Sequence, residues 1–271
     1  MSIMKMMSIS CKMLFVNRIL YPVNKFIYML GLRGIGILNY ENKKLSGDYT
    51  FLKKFFSQRK ENVVVFDIGA NVGEYSKIVR GFNKNAAIYA FEPHPVTFKT
   101  LKENASLYNF SAFCFGCGEK EGKLKFYDYN HDNGSSHASF CKDVIEKIHK
   151  SIAMETEAVM VRLDNFVLNE LQPGKIDLLK IDTEGYDFMV LKGAEKLIRE
   201  NLIDIIQFEF NEMNVMTRVF FKDFYDLLFN YNFYRLLPDG PVSLGNYDPK
   251  LYEIFAFQNI VAIRKDLDFC L

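Results

Sequence analysis

The run Val63-Val64-Val65-Phe66-Asp67-Ile68-Gly69-Ala70-Asn71-Val72-Gly73 limits what this chain can fold into more than any other segment. Its leading apolar residues do not alternate with polar ones. A strand of that kind is covered on both faces, as in a parallel sheet between two helical layers. Gly69 and Gly73 permit positive φ and close backbone approach, so a tight turn follows and leads into a helix. In open sheets of this type, ligands settle in the crevice beyond the carboxyl ends of the strands. Asp67, Gly69, Asn71 and Gly73 are therefore candidate cofactor-binding residues. Glu92 ends the next strand, 19 residues after Gly73, and Pro93 fixes the chain behind it. A carboxylate at that point can take two hydrogen bonds from a ribose diol.

A dinucleotide site would need glycine at positions 69, 71 and 74. The chain has Gly69, Asn71 and Glu74, and Glu74 would put negative charge where a pyrophosphate meets the helix N-terminus. S-adenosylmethionine has a cationic sulfonium and no phosphate. Asp67 and Glu74 are compatible with it, so it is the expected cofactor.

Strand and helix signals alternate from residue 46 onward. Helices are expected over 48–59, 72–82, 95–108, 188–200 and 220–231, and strands over 62–66, 86–91, 111–115, 176–181 and 203–210. Segments 234–237 and 254–263 would close the sheet as an antiparallel hairpin. Between them, 123–129 reads as an exposed strand, 130–139 as a polar loop, 144–150 as a short helix and 160–163 as a strand. The expectation is a single α/β domain over 46–271 with a seven-stranded, mostly parallel sheet, preceded by an N-terminal helical extension over 1–45.

The extension is apolar from Met13 to Leu38 but is interrupted by Asn17, Arg18, Asn24, Lys25 and Arg33. No run reaches the roughly 18 uncharged residues of a membrane span, and no cleavage site follows an unbroken apolar core. It is expected to pack on the domain. An interfacial basic helix making peripheral membrane contact is the alternative. The net charge of +1 argues against a nucleic-acid partner. The five cysteines are odd in number and irregularly spaced, and Cys114 and Cys117 have no second pair to complete a zinc site. Free thiols suit a reducing, cytoplasmic location.

Gly116-Cys117-Gly118-Glu119 reads as the end of the third strand, with Gly118 and Glu119 as candidate adenine contacts. Leu178-Leu179-Lys180-Ile181-Asp182-Thr183-Glu184-Gly185-Tyr186-Asp187 is a second strong signal. Here an apolar strand ends in three acids within six residues, and such costly clustering usually marks function. Asp182 is a candidate for holding the cofactor and for deprotonating an acceptor. Asp187 is expected to cap the next helix. Glu209 sits at the following strand end, in the acceptor position. Asp182, Glu184 and Glu209 could hold a divalent metal, an option ranked below carboxylates without metal. His137, in the polar loop, is a weaker third catalytic candidate. His94 reads as structural or adenosine-adjacent, and His149 has no assigned role.

The motifs Asp67-Ile-Gly-Ala-Asn-Val-Gly73, Phe91-Glu92-Pro93, Arg162-Leu-Asp164, Asp177-Leu-Leu-Lys-Ile-Asp-Thr-Glu-Gly185, Val190-Leu-Lys-Gly-Ala194 and Phe208-Glu209-Phe210-Asn211 together resemble the FkbM-type methyltransferases, over residues 60–263. The first motif is widely shared among methyltransferases, whereas the Lys180–Gly185 segment followed by Val190–Ala194 is much more specific. The resemblance implies a Rossmann-like class I methyltransferase fold, S-adenosylmethionine as donor and, usually, O-methylation of a hydroxyl on a sugar, glycan or natural-product acceptor. N- or C-methylation at the same donor site and an inactive donor-binding partner subunit are the alternatives. Tyr186 and Asp187 depart from the family's usual acid and Glu, which affects peripheral contacts.

Overall fold

The computed structural model describes residues 13–59, 61–129 and 138–269. In chain order the elements used below are α1 (Tyr21–Gly34), α2 (Asp48–Gln58), β1 (Val64–Ile68), α3 (Glu74–Phe82), β2 (Ala87–Phe91), α4 (Pro95–Tyr108), β3 (Ser111–Phe113), β4 (Gly116–Cys117), β5 (Gly122–Tyr129), β6 (Ala153–Val161), β7 (Ile176–Ile181), α5 (Asp187–Gly193), α6 (Glu195–Arg199), β8 (Ile203–Phe210), α7 (Met213–Thr217), α8 (Phe221–Leu227), β9 (Tyr231–Leu237), β10 (Gly240–Ser243) and β11 (Gln258–Arg264).

Among the described residues the main sheet has eight strands in the order β10-β9-β11-β8-β7-β1-β2-β3. The run from β8 to β3 is parallel, and β11 lies antiparallel between β8 and β9. This is the class I methyltransferase arrangement that the resemblance implies. The short β10 extends the expected seven strands by one. The unbroken apolar runs fit because successive side chains serve opposite layers. Phe66, Leu179 and Ile206 enter one core with Phe221 and Phe224 of α8, whereas Val65, Leu178 and Ile205 enter another with Phe51, Leu52 and Phe55 of α2.

Three expectations are corrected. The third strand stops at Phe113, and Gly116–Cys117 belongs instead to a separate sheet, β4-β6-β5. β6 runs nine residues from Ala153, far beyond the expected 160–163. Its outward acids gave no apolar signal, and they pair with lysines of β5, Lys123 with Glu157 at 3.1 Å and Lys125 with Glu155 at 3.0 Å. The helix expected over 188–200 breaks at Ala194 after Gly193, a weak helix former. Asp164 caps the second half from a distance, accepting from the amides of Lys196 (3.3 Å) and Leu197 (3.0 Å).

Of the described part of the N-terminal extension, residues 13–31 do not pack on the domain as expected. Within α1 only Leu32 is buried. The chain joins the domain after the helix. Ile37 is fully buried, the Leu38 amide donates to the Phe257 carbonyl at 2.8 Å, and Thr50 Oγ1 donates to the Pro238 carbonyl at 2.7 Å. Among the described residues, no helix is long and apolar enough to cross a membrane.

Candidate active site

β1 and β7 are neighbours in register, pairing Asp67 with Lys180 and Ile68 with Ile181. Their carboxyl ends separate into two loops that touch. The Asp182 amide donates to the Ile68 carbonyl at 2.9 Å. Gly69 has φ +79°, and a Cβ there would lie 1.9 Å from the Asp182 carbonyl oxygen. Only glycine fits at this position. The amides of Gly69 and Ala70 donate to the Phe91 carbonyl, so β2 holds the loop from the other side. Asn71 (φ +50°) and Gly73 (φ +85°) complete the left-handed turn into α3.

This junction opens onto a cavity of about 710 Å3, lined by Asp67, Gly69, Asn71, Lys180, Asp182, Glu184 and Glu209, among others. The size suits a small-molecule site. Tyr40 to Lys43 form part of its wall, so a piece of the expected extension contributes to the site. Behind them Asp48 ties this wall to the sheet. It accepts from Gln207 Nε2 at 2.5 Å and Asn259 Nδ2 at 3.2 Å, as well as from Ser46 Oγ. Tyr75 donates to Gln207 Oε1 at 2.7 Å.

Acidic side chains outnumber lysines eight to two on the cavity wall. Asp67 is buried and accepts from Ser76 Oγ at 2.6 Å. Burial raises its pKa, partly offset by that hydrogen bond and by Lys180. Glu209 is held well above the usual carboxylate range, first by burial and then by Asp182, with Lys180 opposing. Lys180 is almost fully buried, with Nζ 3.4 Å from Asp182 Oδ2 and donating to the Ile181 carbonyl at 3.2 Å. Burial opposes its charge, but Asp182, Glu209, Asp48 and Asp187 outweigh it and raise its pKa. The sequence motif contains Lys180 but does not by itself assign it a role. The available signal was a lysine inside an otherwise apolar run.

Several candidates sit elsewhere. Glu92 and Pro93 lie behind the loop and do not line the cavity. Both Glu92 oxygens are engaged, accepting from the amides of Asn71 (3.0 Å) and His94 (2.8 Å), and burial pushes its carboxyl up to about 7. Glu92 thus shapes the loop through Asn71. Gly118 packs against Tyr186, and Glu119 pairs with Lys192 at 2.7 Å, so the structure does not bring either to the cavity. Asp187 is the first residue of α5 rather than its cap. Its carboxylate accepts from Thr183 Oγ1 at 2.9 Å and the Glu209 amide at 3.4 Å, joining two strand-end loops. Burial and Asp182 raise its pKa to about 6. His94 points to Asp128, with Nε2 at 3.2 Å. His137 lies outside the described residues. His149 lines the cavity instead, carried there by a single π-helical turn, Val144–Ile148, that lies against α7. Among the described residues, no group of three or more His, Cys, Asp or Glu is arranged to hold a metal ion.

The glycine cradle and the acid excess fit S-adenosylmethionine, which brings positive charge and no phosphate. The profile of the FkbM methyltransferase domain matches residues 67–235. Similar proteins include Methyltransferase 1 of Beauveria bassiana (28% identical, covering 48% of this chain and 58% of that one) and the hexuronic acid methyltransferase AglP of Haloferax volcanii (24%; 58% and 60%). The 31-O-demethyl-FK506 methyltransferase FkbM of Streptomyces tacrolimicus is 27% identical, over 49% of this chain and 59% of that one. The chain thus spans about three-fifths of the length of these relatives. Among solved structures, the precorrin-6y C5,15-methyltransferase of Geobacter metallireducens aligns with a TM-score of 0.42 at 12% identity, over 80% of this chain and 87% of that one. With the domain match covering more than half of its residues, the chain belongs to the FkbM methyltransferase domain family.

Proposed function

We propose that this protein transfers a methyl group from S-adenosylmethionine to a hydroxyl of a small-molecule or glycan acceptor. The observation that carries the reading is the strongly acidic cavity built on the Gly69–Gly73 cradle. It favours a cationic donor and disfavours a pyrophosphate. The donor, when bound, supplies an electrophilic sulfonium methyl that an acceptor oxygen takes by in-line displacement. The protein's own contribution is chiefly alignment, which in oriented systems provides up to roughly 7–11 kcal/mol.

Asp67, Gly69 and Asn71 form the donor side of the cavity, with Gly73 behind them turning the loop into α3 and Glu92 holding the Asn71 amide in place. Asp182 stands between the donor loop and β8, next to the Lys180 ammonium, and is the residue assigned to orient the acceptor hydroxyl and receive its proton. Glu209, whose carboxyl burial and Asp182 hold well above the usual carboxylate range, serves better as a hydrogen-bond donor to the acceptor than as a base. His149 on the same wall is a second proton acceptor. The names of two relatives, a hexuronic acid methyltransferase and a 31-O-demethyl-FK506 methyltransferase, support a hydroxyl-bearing acceptor.

Calorimetric titration with S-adenosylmethionine and with NAD tests the donor. Binding of the first and not the second is expected, and failure of S-adenosylmethionine to bind overturns the reading. Mass spectrometry on a panel of saccharides, hydroxylated natural products and amines tests the acceptor. Methylation of amines alone would replace the O-methyl assignment with N-methylation.

A further inference from the structure

α1 carries an apolar stripe that stays exposed among the described residues. Val23, Phe26, Ile27 and Leu30 recur at i, i+3, i+4 and i+7, the spacing of a single stripe. Each is more than half exposed, Phe26 at 62%. Leu32, the one buried residue, lies two positions from Leu30 and therefore on the opposite side of the helix. Leu32 docks while the stripe points away from the domain. Just before the helix, Phe15 and Ile19 are likewise exposed, at 55% and 87%. Soluble proteins rarely leave so continuous an apolar surface uncovered.

The charge of the segment indicates what covers it. The first 40 residues contain Lys5, Lys12, Arg18, Lys25 and Arg33 and no Asp or Glu, although the whole chain is nearly neutral. Arg33 pairs with Glu41 at 2.8 Å, whereas Arg18 and Lys25 have no ion pair among the described residues. Two copies pairing through this face would bring like charges together. An anionic surface would be complementary. Fourteen residues of helix span about 21 Å, too short for a hydrocarbon core of about 30 Å but suited to lying in the interface plane. By helical position Arg33 flanks the stripe, whereas Lys25 lies on the side of Leu32, so its charge acts on an anionic surface through its field rather than by contact.

We propose that residues 13–35 dock this protein on the surface of an anionic phospholipid bilayer. Tyr40 on the cavity wall is six residues on from the end of α1 at Gly34. Even fully extended they cover only about 20 Å, so docking holds the cavity rim close to the lipid.

The test is cosedimentation of the full chain with vesicles of phosphatidylcholine alone or mixed with phosphatidylglycerol. At least tenfold more protein should sediment with the anionic vesicles, and raised salt should reduce the difference. The double variant Phe26→Asp/Ile27→Asp should lose at least tenfold in binding to both. Arg18→Glu/Lys25→Glu should lose the preference for anionic lipid. An unchanged urea midpoint verifies that each variant folds, independently of any donor binding. Equal sedimentation with and without phosphatidylglycerol overturns the proposal. So does a dimer, abolished by Phe26→Asp/Ile27→Asp, in protein that binds no vesicles, because the surface would then belong to a second copy.

Discussion

The carbonyl oxygen of Asp182 occupies the space that a side chain on Gly69 would need, with 1.9 Å between it and an added Cβ. The two strand-end loops that carry the donor and acceptor residues are therefore in direct backbone contact. Gly69→Ala must separate them and must also place alanine at positive φ. The expected cost is roughly 2–4 kcal/mol in urea unfolding, with at least a tenfold loss of S-adenosylmethionine affinity by calorimetry. A variant that binds donor normally would show that the loop contact does not shape the site.

Lys180 is the buried cation that balances this cluster of acids. Replacing it with methionine keeps the bulk and removes the buried ammonium beside Asp182 and Glu209. Breaking such a buried arrangement costs roughly 3–5 kcal/mol. The loss should be largest at pH 8 and smaller at pH 6. Glu209 is held well up and Asp187 titrates at about 6, so protonation can replace the missing ammonium at the lower pH. Urea midpoints at the two pH values decide this, and an equal loss at both would mean that Lys180 acts only by filling space.

Asp182 and Glu209 are assigned different roles, proton acceptor and hydrogen-bond donor, so their amide variants should differ. Glu209→Gln preserves a hydrogen-bond donor and should reduce kcat by less than tenfold. Asp182→Asn removes a proton acceptor and should reduce it by roughly 10²–10⁴. His149→Gln should fall between them and alter the acidic limb of the pH–rate profile. Rates measured on an acceptor from the methylation panel check the order. A larger loss at Glu209 than at Asp182 would exchange their roles.

The strand ends were readable because their signals are local. Asp67, Asp182 and Glu209 each terminate an apolar run, and a parallel sheet brings consecutive run ends together. His149 and Lys43 were not readable, because they reach the cavity through turns whose position depends on packing against distant elements. Glu119 misled for a related reason. Ser111 to Cys117 looks like one strand, yet the chain leaves the main sheet at Phe113 to pair with β6. The exposure of α1 was equally hidden, since an apolar stripe gives the same pattern whether it faces its own core or a lipid surface.

Glu92 yields a prediction whose sign follows from its burial. In the folded protein its carboxyl is pushed up to about 7, against an ordinary 4.5, despite accepting from two backbone amides. The native state thus holds this proton more tightly than the unfolded chain does. The resulting stability is full below pH 4.5 and is lost as pH rises through about 7. At about 1.4 kcal/mol per unit, the loss approaches roughly 3 kcal/mol. Glu92→Gln removes the titration. It also turns an amide N–H₂ toward one of the two donors, at a cost that does not depend on pH. The stability of the wild type relative to the variant should therefore decline steadily from pH 5 to pH 8 in urea unfolding. Parallel curves would show that Glu92 keeps an ordinary carboxylate pKa in the fold. Donor affinity should fall in the same variant, because the Asn71 amide is no longer held by a carboxylate, and calorimetry at a single pH separates that effect from the titration.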